Sequence, residues 1–326
     1  MRYALITGAN SGLGFETALQ LGREGTFDRI VLACRTLAKA DIAKAQLVTL
    51  CGCPPERFDV MVVDVSSVES TRAAMEKWAG DASGLQFELV VLNAGRVGGP
   101  LLEHSPDGLE ISYAASLAGH YVMAMRLLKD DLLTENAALV IAGAEAARGT
   151  LPGMTLYDIW AISEAEYDGD LVRGMTALAR GEAPNAYHAR SNLATLKAFA
   201  QWWGAGLARR LDELERPVRV FVVSPGGVPA TKGVDYLPFM MRTFVRLATP
   251  LLVAAGQAHS IEKGAARYLE MLDRPASDSG KFFASADGKH VGPLVDNTPL
   301  YDHFHNADLQ DAALATLESL THESML

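Results

Sequence analysis

Gly8, Gly12 and Gly14 form a Gly-x-x-x-Gly-x-Gly turn directly after the apolar run Tyr3-Ala4-Leu5-Ile6 and ahead of a helix-period segment. That spacing suits phosphate chemistry. Glycines let the backbone approach a pyrophosphate, and a helix N-terminus offers free N–H groups and a favourable dipole. The stretch, with Asn10, Ser11 and Leu13 between the glycines, reads as a dinucleotide cradle. The end of the second strand selects the nucleotide. An NAD site wants an acidic residue about twenty positions on; this chain offers Arg35 and, one helical turn later, Lys39. Both can neutralise a 2′-phosphate, so NADP(H) is the expected cofactor.

Other strand ends carry the same theme. Asp64, followed by Val65, suits an adenine amino group or the cap of the next helix. Asn93-Ala94-Gly95 is a small-residue turn against which an adenosine ribose could lie. Pro225-Gly226-Gly227 closes the sixth strand, with Thr231 within reach of a carboxamide or pyrophosphate.

The elements that must position these residues follow from periodicity. Strands are expected at Tyr3–Ile6, Ile30–Ala33, Asp59–Val63, Leu89–Leu92, Leu139–Ala142 and Val218–Val223. Helices are expected near Gly12–Glu24, Ala38–Leu50, Val68–Ala79, Tyr113–Leu128 and Ser191–Leu214. This alternation predicts an α/β fold, a doubly wound parallel sheet of Rossmann type, with ligands beyond the carboxyl ends of the strands. One domain over 1–326 is expected. Residues 148–185 read as an insertion, 225–259 as a hydrophobic lid over the substrate, and 286–326 as a C-terminal extension with a short amphipathic helix at Ala307–Ser324.

Composition narrows the partners. A formal charge of −10 argues against nucleic acid or an anionic membrane surface. The apolar stretch Phe239–Ala255 is interrupted by Arg242, Arg246 and Pro250, which disfavours a transmembrane span. Cys34, Cys51 and Cys53 make no disulfide framework, and the chain enters a strand almost at once, leaving no room for a signal peptide. A cytoplasmic setting is expected. His303-Phe304-His305 reads as a metal-free pair, so no metal site is expected.

Together these residues resemble the short-chain dehydrogenase/reductase family. Leu32-Ala33-Cys34-Arg35, Gly119-His120-Tyr121, Ile261-Glu262-Lys263-Gly264-Ala265 and Ser279-Gly280-Lys281-Phe282-Phe283 are similar to its retinol dehydrogenase and protochlorophyllide reductase branch. The resemblance covers residue 2 to about 285, and it implies a catalytic Asn, Ser, Tyr and Lys. Carried over position by position, the Asn reads Ser116, the Ser reads Ala144, the Tyr reads His188 with Tyr187 one step away, and the Lys reads Asn192. The resemblance also implies pairing of two copies through the helices around Tyr113–Leu128 and Ser191–Leu214, a homodimer whose surface the insertion would block or alter.

The surviving chemistry is specific. Asn192 can hydrogen-bond a ribose hydroxyl but carries no charge to depress a phenol pKa. His188 titrates near neutrality and suits a general acid; Tyr187 is the nearby phenol, and Tyr157, thirteen residues after Ala144, is a lesser candidate. Arg190 and Lys197 are the cations that could replace the missing ammonium, although neither sits one turn after Tyr187 or His188. Three functions stay open: an atypical NADP(H)-dependent oxidoreductase acting on a bulky apolar substrate, a non-redox cyclase, isomerase or eliminase on the same scaffold, and a catalytically silent binding protein.

Overall fold

The computed structural model describes residues 1–81, 85–99, 101–183, 187–229 and 248–325. Six apolar runs form parallel strands: β1 Tyr3–Thr7, β2 Arg29–Cys34, β3 Phe58–Val62, β4 Phe87–Leu92, β5 Leu133–Ala142 and β6 Arg219–Val223. The central ones are buried on both faces, as a helix-covered parallel sheet requires. The short β7, Phe282–Ala284, adds in parallel, and β8, Val295–Asp296, adds antiparallel. The spatial order β3-β2-β1-β4-β5-β6-β7-β8 reverses direction at β1, opening a crevice between the carboxyl ends of β1 and β4.

Two cores sandwich the sheet. One face packs α1, Gly12–Glu24, and α2, Leu37–Cys51, together with the helix Ile261–Leu269. The other packs α3, Val68–Asp81, and the long α8, Ala189–Glu213. The expected helix Tyr113–Leu128 is more structured than its periodicity suggests. A short α4, Ile111–Tyr113, runs through a π-helical stretch, Ala114–Ala118, into α5, Gly119–Lys129. Wide turns of this kind frequently sit at functional sites.

The insertion is a packed body. Asp158 caps α6, Ile159–Glu166, and Asp170 caps α7, Leu171–Arg180. Ile159, Met175 and Leu178 enter the larger core. The terminal helix Ala307–Thr321 lies across α7 and α8, burying Leu309, Ala313 and Leu317. Of the expected lid, residues 230–247 lie outside the described residues. Among the described residues, no helix is long and apolar enough to cross a membrane.

Candidate active site

The glycine turn is built by contact. Gly8 and Gly12 adopt positive φ, +69° and +60°, a region costly for other residues. A Cβ on Gly14 would stand 2.6 Å from the Gly8 carbonyl oxygen and 2.7 Å from Asn93 Nδ2. Helix α1 therefore starts pressed against the β4 turn. Ser11, at its N-cap, makes no side-chain cap. Leu13 packs instead against Gly264 of the helix Ile261–Leu269, and Asn10 is half-buried beside it.

Thr7, fully buried at the end of β1, fixes the opposite wall. Its Oγ1 accepts from the backbone N–H of Asn93 at 2.8 Å and of Ala94 at 2.9 Å, while Asn93 Nδ2 donates to the Thr7 carbonyl at 3.0 Å. Thr7 Oγ1 also meets His120 Nε2 at 3.0 Å, and His120 Nδ1 lies 3.3 Å from the Ser116 carbonyl. A carbonyl only accepts, so Nδ1 carries the hydrogen and Nε2 takes the threonine proton. Burial holds the imidazole neutral, pushing its pKa down to about 3.

Arg35 and Lys39 stand exposed past β2, with no ion pair to another described residue. Asp64 forms a turn ahead of α3 and does not cap it: its Oδ1 accepts from Ser66 N at 3.0 Å and Ser66 Oγ at 2.6 Å, while the start of the helix is held by Ser67 Oγ, accepting from Ser70 N at 3.2 Å, and Asp107 Oδ2, accepting from Val68 N at 2.9 Å. The Val65 carbonyl presses on Gly119 so closely that a Cβ there would lie 2.1 Å away. Pro225 accepts from His259 Nδ1 at 3.3 Å, Gly226 takes φ +82°, and Gly227 N donates to His290 O at 2.7 Å. Thr231 lies outside the described residues.

The β4 turn leads into a second cluster. A Cβ on Gly95 would meet Ser116 Oγ at 2.9 Å. One on Gly98 would meet Tyr187 Oη at 2.5 Å and Glu110 Oε1 at 2.8 Å. Glu110 is wholly buried at the cap of α4, a role the sequence reading missed. Its Oε2 is saturated, accepting from Ser112 N, Tyr113 N and, through a short bond, Ser112 Oγ. Its Oε1 faces Tyr187, whose hydroxyl donates at 3.5 Å. Burial, and then the Glu110 charge, raises the Tyr187 pKa, so the phenol keeps its proton.

Asn192, buried on α8, donates to Ser112 Oγ at 3.3 Å. Tyr187, Asn192, Ser112 and Glu110 thus form one network, with Ser116 a helical turn away. His188 is apart from it: it occupies the α8 N-cap, exposed, and its backbone N–H and carbonyl engage the Tyr157 hydroxyl at 3.0 and 3.3 Å. Glu145, one residue after Ala144, turns away into a buried lattice. It accepts from Ser224 Oγ at 2.5 Å and Ser285 Oγ at 3.0 Å, with Arg267 at 3.6 Å.

Glu110 and Ser112 were missed because an acidic residue before a helix signals only a cap. Its burial depends on Gly98 and Tyr187, which a linear pattern does not bring together. Among the described residues, no cluster of three or more potential metal ligands occurs.

The short chain dehydrogenase family matches residues 2–158. A protochlorophyllide reductase of Chlamydomonas reinhardtii is 35% identical over 132 residues, covering 40% of this chain and 31% of the relative. The chain thus spans about a third of the length of the first curated relatives it matches. Among solved structures, an uncharacterized protein from Mycobacterium paratuberculosis superposes with a TM-score of 0.69 at 20% identity, covering 100% of this chain and 95% of that one. A short chain dehydrogenase from Burkholderia cenocepacia in complex with NADP gives 0.56 at 19%, covering 86% and 94%. The chain has the short-chain dehydrogenase/reductase fold, with homology to protochlorophyllide reductases at modest identity.

Proposed function

We propose that this protein is an NADP(H)-dependent oxidoreductase that acts on a bulky apolar substrate through a site without the usual Ser-Tyr-Lys relay. The observation that carries the reading is the cradle. Gly14 is pressed against Gly8, the β4 turn is bolted to Thr7, and two exposed cations follow β2. These residues fit a dinucleotide: the start of α1 would hold the pyrophosphate and Arg35 with Lys39 the 2′-phosphate. The NADP-bound Burkholderia structure on the same fold supports that choice. When bound, the cofactor supplies or takes a hydride.

Beyond it, Tyr187 offers a phenol that stays protonated. Turned away from Glu110, its single O–H would stabilise a developing oxyanion by hydrogen bonding without itself ionising. That suits a conjugated substrate whose product anion is delocalised.

One observation favours a second reading. The Oε1 of Glu110, reached through Tyr187, is a buried proton acceptor, as an isomerase or eliminase would require. Incubation with C4-deuterated NADPH and conjugated isoprenoid, polyketide or tetrapyrrole probes separates the two. Deuterium in the product, with loss of reduced nicotinamide, is expected. Product without label overturns the redox reading in favour of the second. For the cofactor itself, Arg35→Asp should weaken NADPH binding roughly ten- to a hundredfold, and NADH binding far less. Equal losses overturn the 2′-phosphate assignment.

A further inference from the structure

Helix α2 ends in Cys51-Gly52-Cys53, followed by Pro54 and Pro55. Gly52 closes it in the left-handed region, at φ +64° and ψ +29°, its N–H donating to the Val48 carbonyl at 2.9 Å. That conformation is close to the mirror image of a helical residue. It therefore sets the Cα atoms on either side about 5.4 Å apart, the helical i to i+2 distance. A disulfide spans Cα atoms roughly 4.4–6.8 Å apart, so the backbone already holds the two cysteines at bridging distance.

Their side chains share a side as well. Both pack against the core that includes α1. Cys51 Sγ donates to the Leu19 carbonyl at 3.6 Å and lies 2.6 Å from where a Cβ on Gly22 would stand. Both are free thiols and only half-buried, whereas Cys34 is buried at the end of β2. Pro54 fixes its own φ and biases Cys53 towards extended backbone, so little chain freedom remains to be lost on closing the pair.

We propose that Cys51 and Cys53 form a reversible dithiol–disulfide couple, a modification site whose reactant is a low-molecular-weight disulfide. The two thiols differ in role. Burial, and then the charge of Cys53, push the Cys51 thiol up to about 11, so Cys51 keeps its proton at neutral pH and the first attack falls to Cys53. The Cys53 thiolate breaks the S–S bond of the reactant, forms a mixed disulfide and releases one thiolate, which takes up a proton. Capping Cys53 removes its charge and eases ionisation of Cys51. Cys51 then loses its proton, attacks the Cys53 sulfur and expels the second thiolate, which is protonated in turn. The chain gives up two hydrogens and two electrons, and the reactant leaves as two thiols. The couple is independent of the NADP(H) reading.

Reduced protein, freed of reductant and incubated with oxidised glutathione, tests it. Remaining thiols are blocked with iodoacetamide, and residues 45–57, which trypsin releases as one peptide between Lys44 and Arg57, are weighed. Loss of two hydrogens, without alkylation or bound glutathione, is expected, and dithiothreitol should restore two alkylatable thiols. In Cys51→Ser the same treatment should leave at least about tenfold more glutathione on Cys53 than in the wild type, because nothing displaces it. A wild type whose two thiols both stay alkylatable, or that accumulates glutathione on Cys53 without closing the ring, overturns the inference. A peptide of doubled mass overturns it too, since it marks a bridge between two molecules.

Discussion

At the scale of the residue, Thr7 connects more of the site than any charged group. One hydroxyl accepts two backbone N–H groups of the β4 turn and contacts His120. Replacing it with valine keeps the shape and strands those donors in a fully buried place. Each orphaned group costs about 1–3 kcal/mol. Thr7→Val should therefore lower unfolding stability by roughly 2–4 kcal/mol in urea titrations, whereas Thr7→Ser should stay near wild type. A valine variant as stable as wild type would remove Thr7 from this role. The same scale shows what a linear reading reaches. The turn at Gly8, Gly12 and Gly14 is legible because its geometry is local: a strand, a turn and a helix start. Glu110 and Tyr187 are 77 positions apart and carry no mutual signature in the chain.

At the scale of the element, His120 pins α5 to the end of β1. Its pKa falls to about 3 through burial, so it is neutral in the folded protein, while an exposed imidazole takes up a proton near 6.5. The unfolded chain then binds the extra proton between these values. Stability from this group is intact above pH 6.5 and is lost as pH falls towards 3, by on the order of a few kcal/mol. His120→Gln should flatten that part of the stability–pH curve relative to wild type, whatever other acid-sensitive groups contribute to both. Identical slopes would place the acid sensitivity elsewhere.

Element boundaries reveal another limit of the sequence. The strands β1 to β4 and β6 and α1, α2, α3 and α8 lie within a few residues of expectation, because each buries a long periodic apolar set, whereas β5 starts six residues before the expected Leu139, at Leu133, where Thr134, Glu135 and Asn136 interrupt the apolar run. The three-residue β7 and two-residue β8 give too few alternations to register. The π-helical stretch at Ala114–Ala118 shares its composition with any buried helix, so only the widened turn distinguishes it.

At the scale of the whole molecule, the insertion and the tail build one side of the protein together. The terminal helix crosses α7 and α8, and beyond it Arg72 Nε donates to Glu323 at 2.7 Å, tying the tail to α3. Trp202, on α8, donates to the His303 carbonyl at 2.8 Å just ahead of that helix. Removing residues 307–326 would strip Leu309, Ala313 and Leu317 from α8 and expose its apolar flank. The shortened protein should melt lower and elute as larger species in size-exclusion chromatography with light scattering. A monodisperse product with an unchanged melting point would show that the tail is dispensable to packing.

The tail's position also bears on how the fold responds to dilution. Leu314 and the Gln310 carbonyl sit against Gly206, where a Cβ would come within 2.9 and 3.0 Å, so backbone meets backbone along the outer side of α8. A seam between two separate molecules opens as they are diluted, because its occupancy follows mass action. Here the second helix is tethered to the first by the same chain, so its local concentration is fixed by connectivity. The outer side of α8 is therefore covered to the same extent in a dilute sample as in a crowded one.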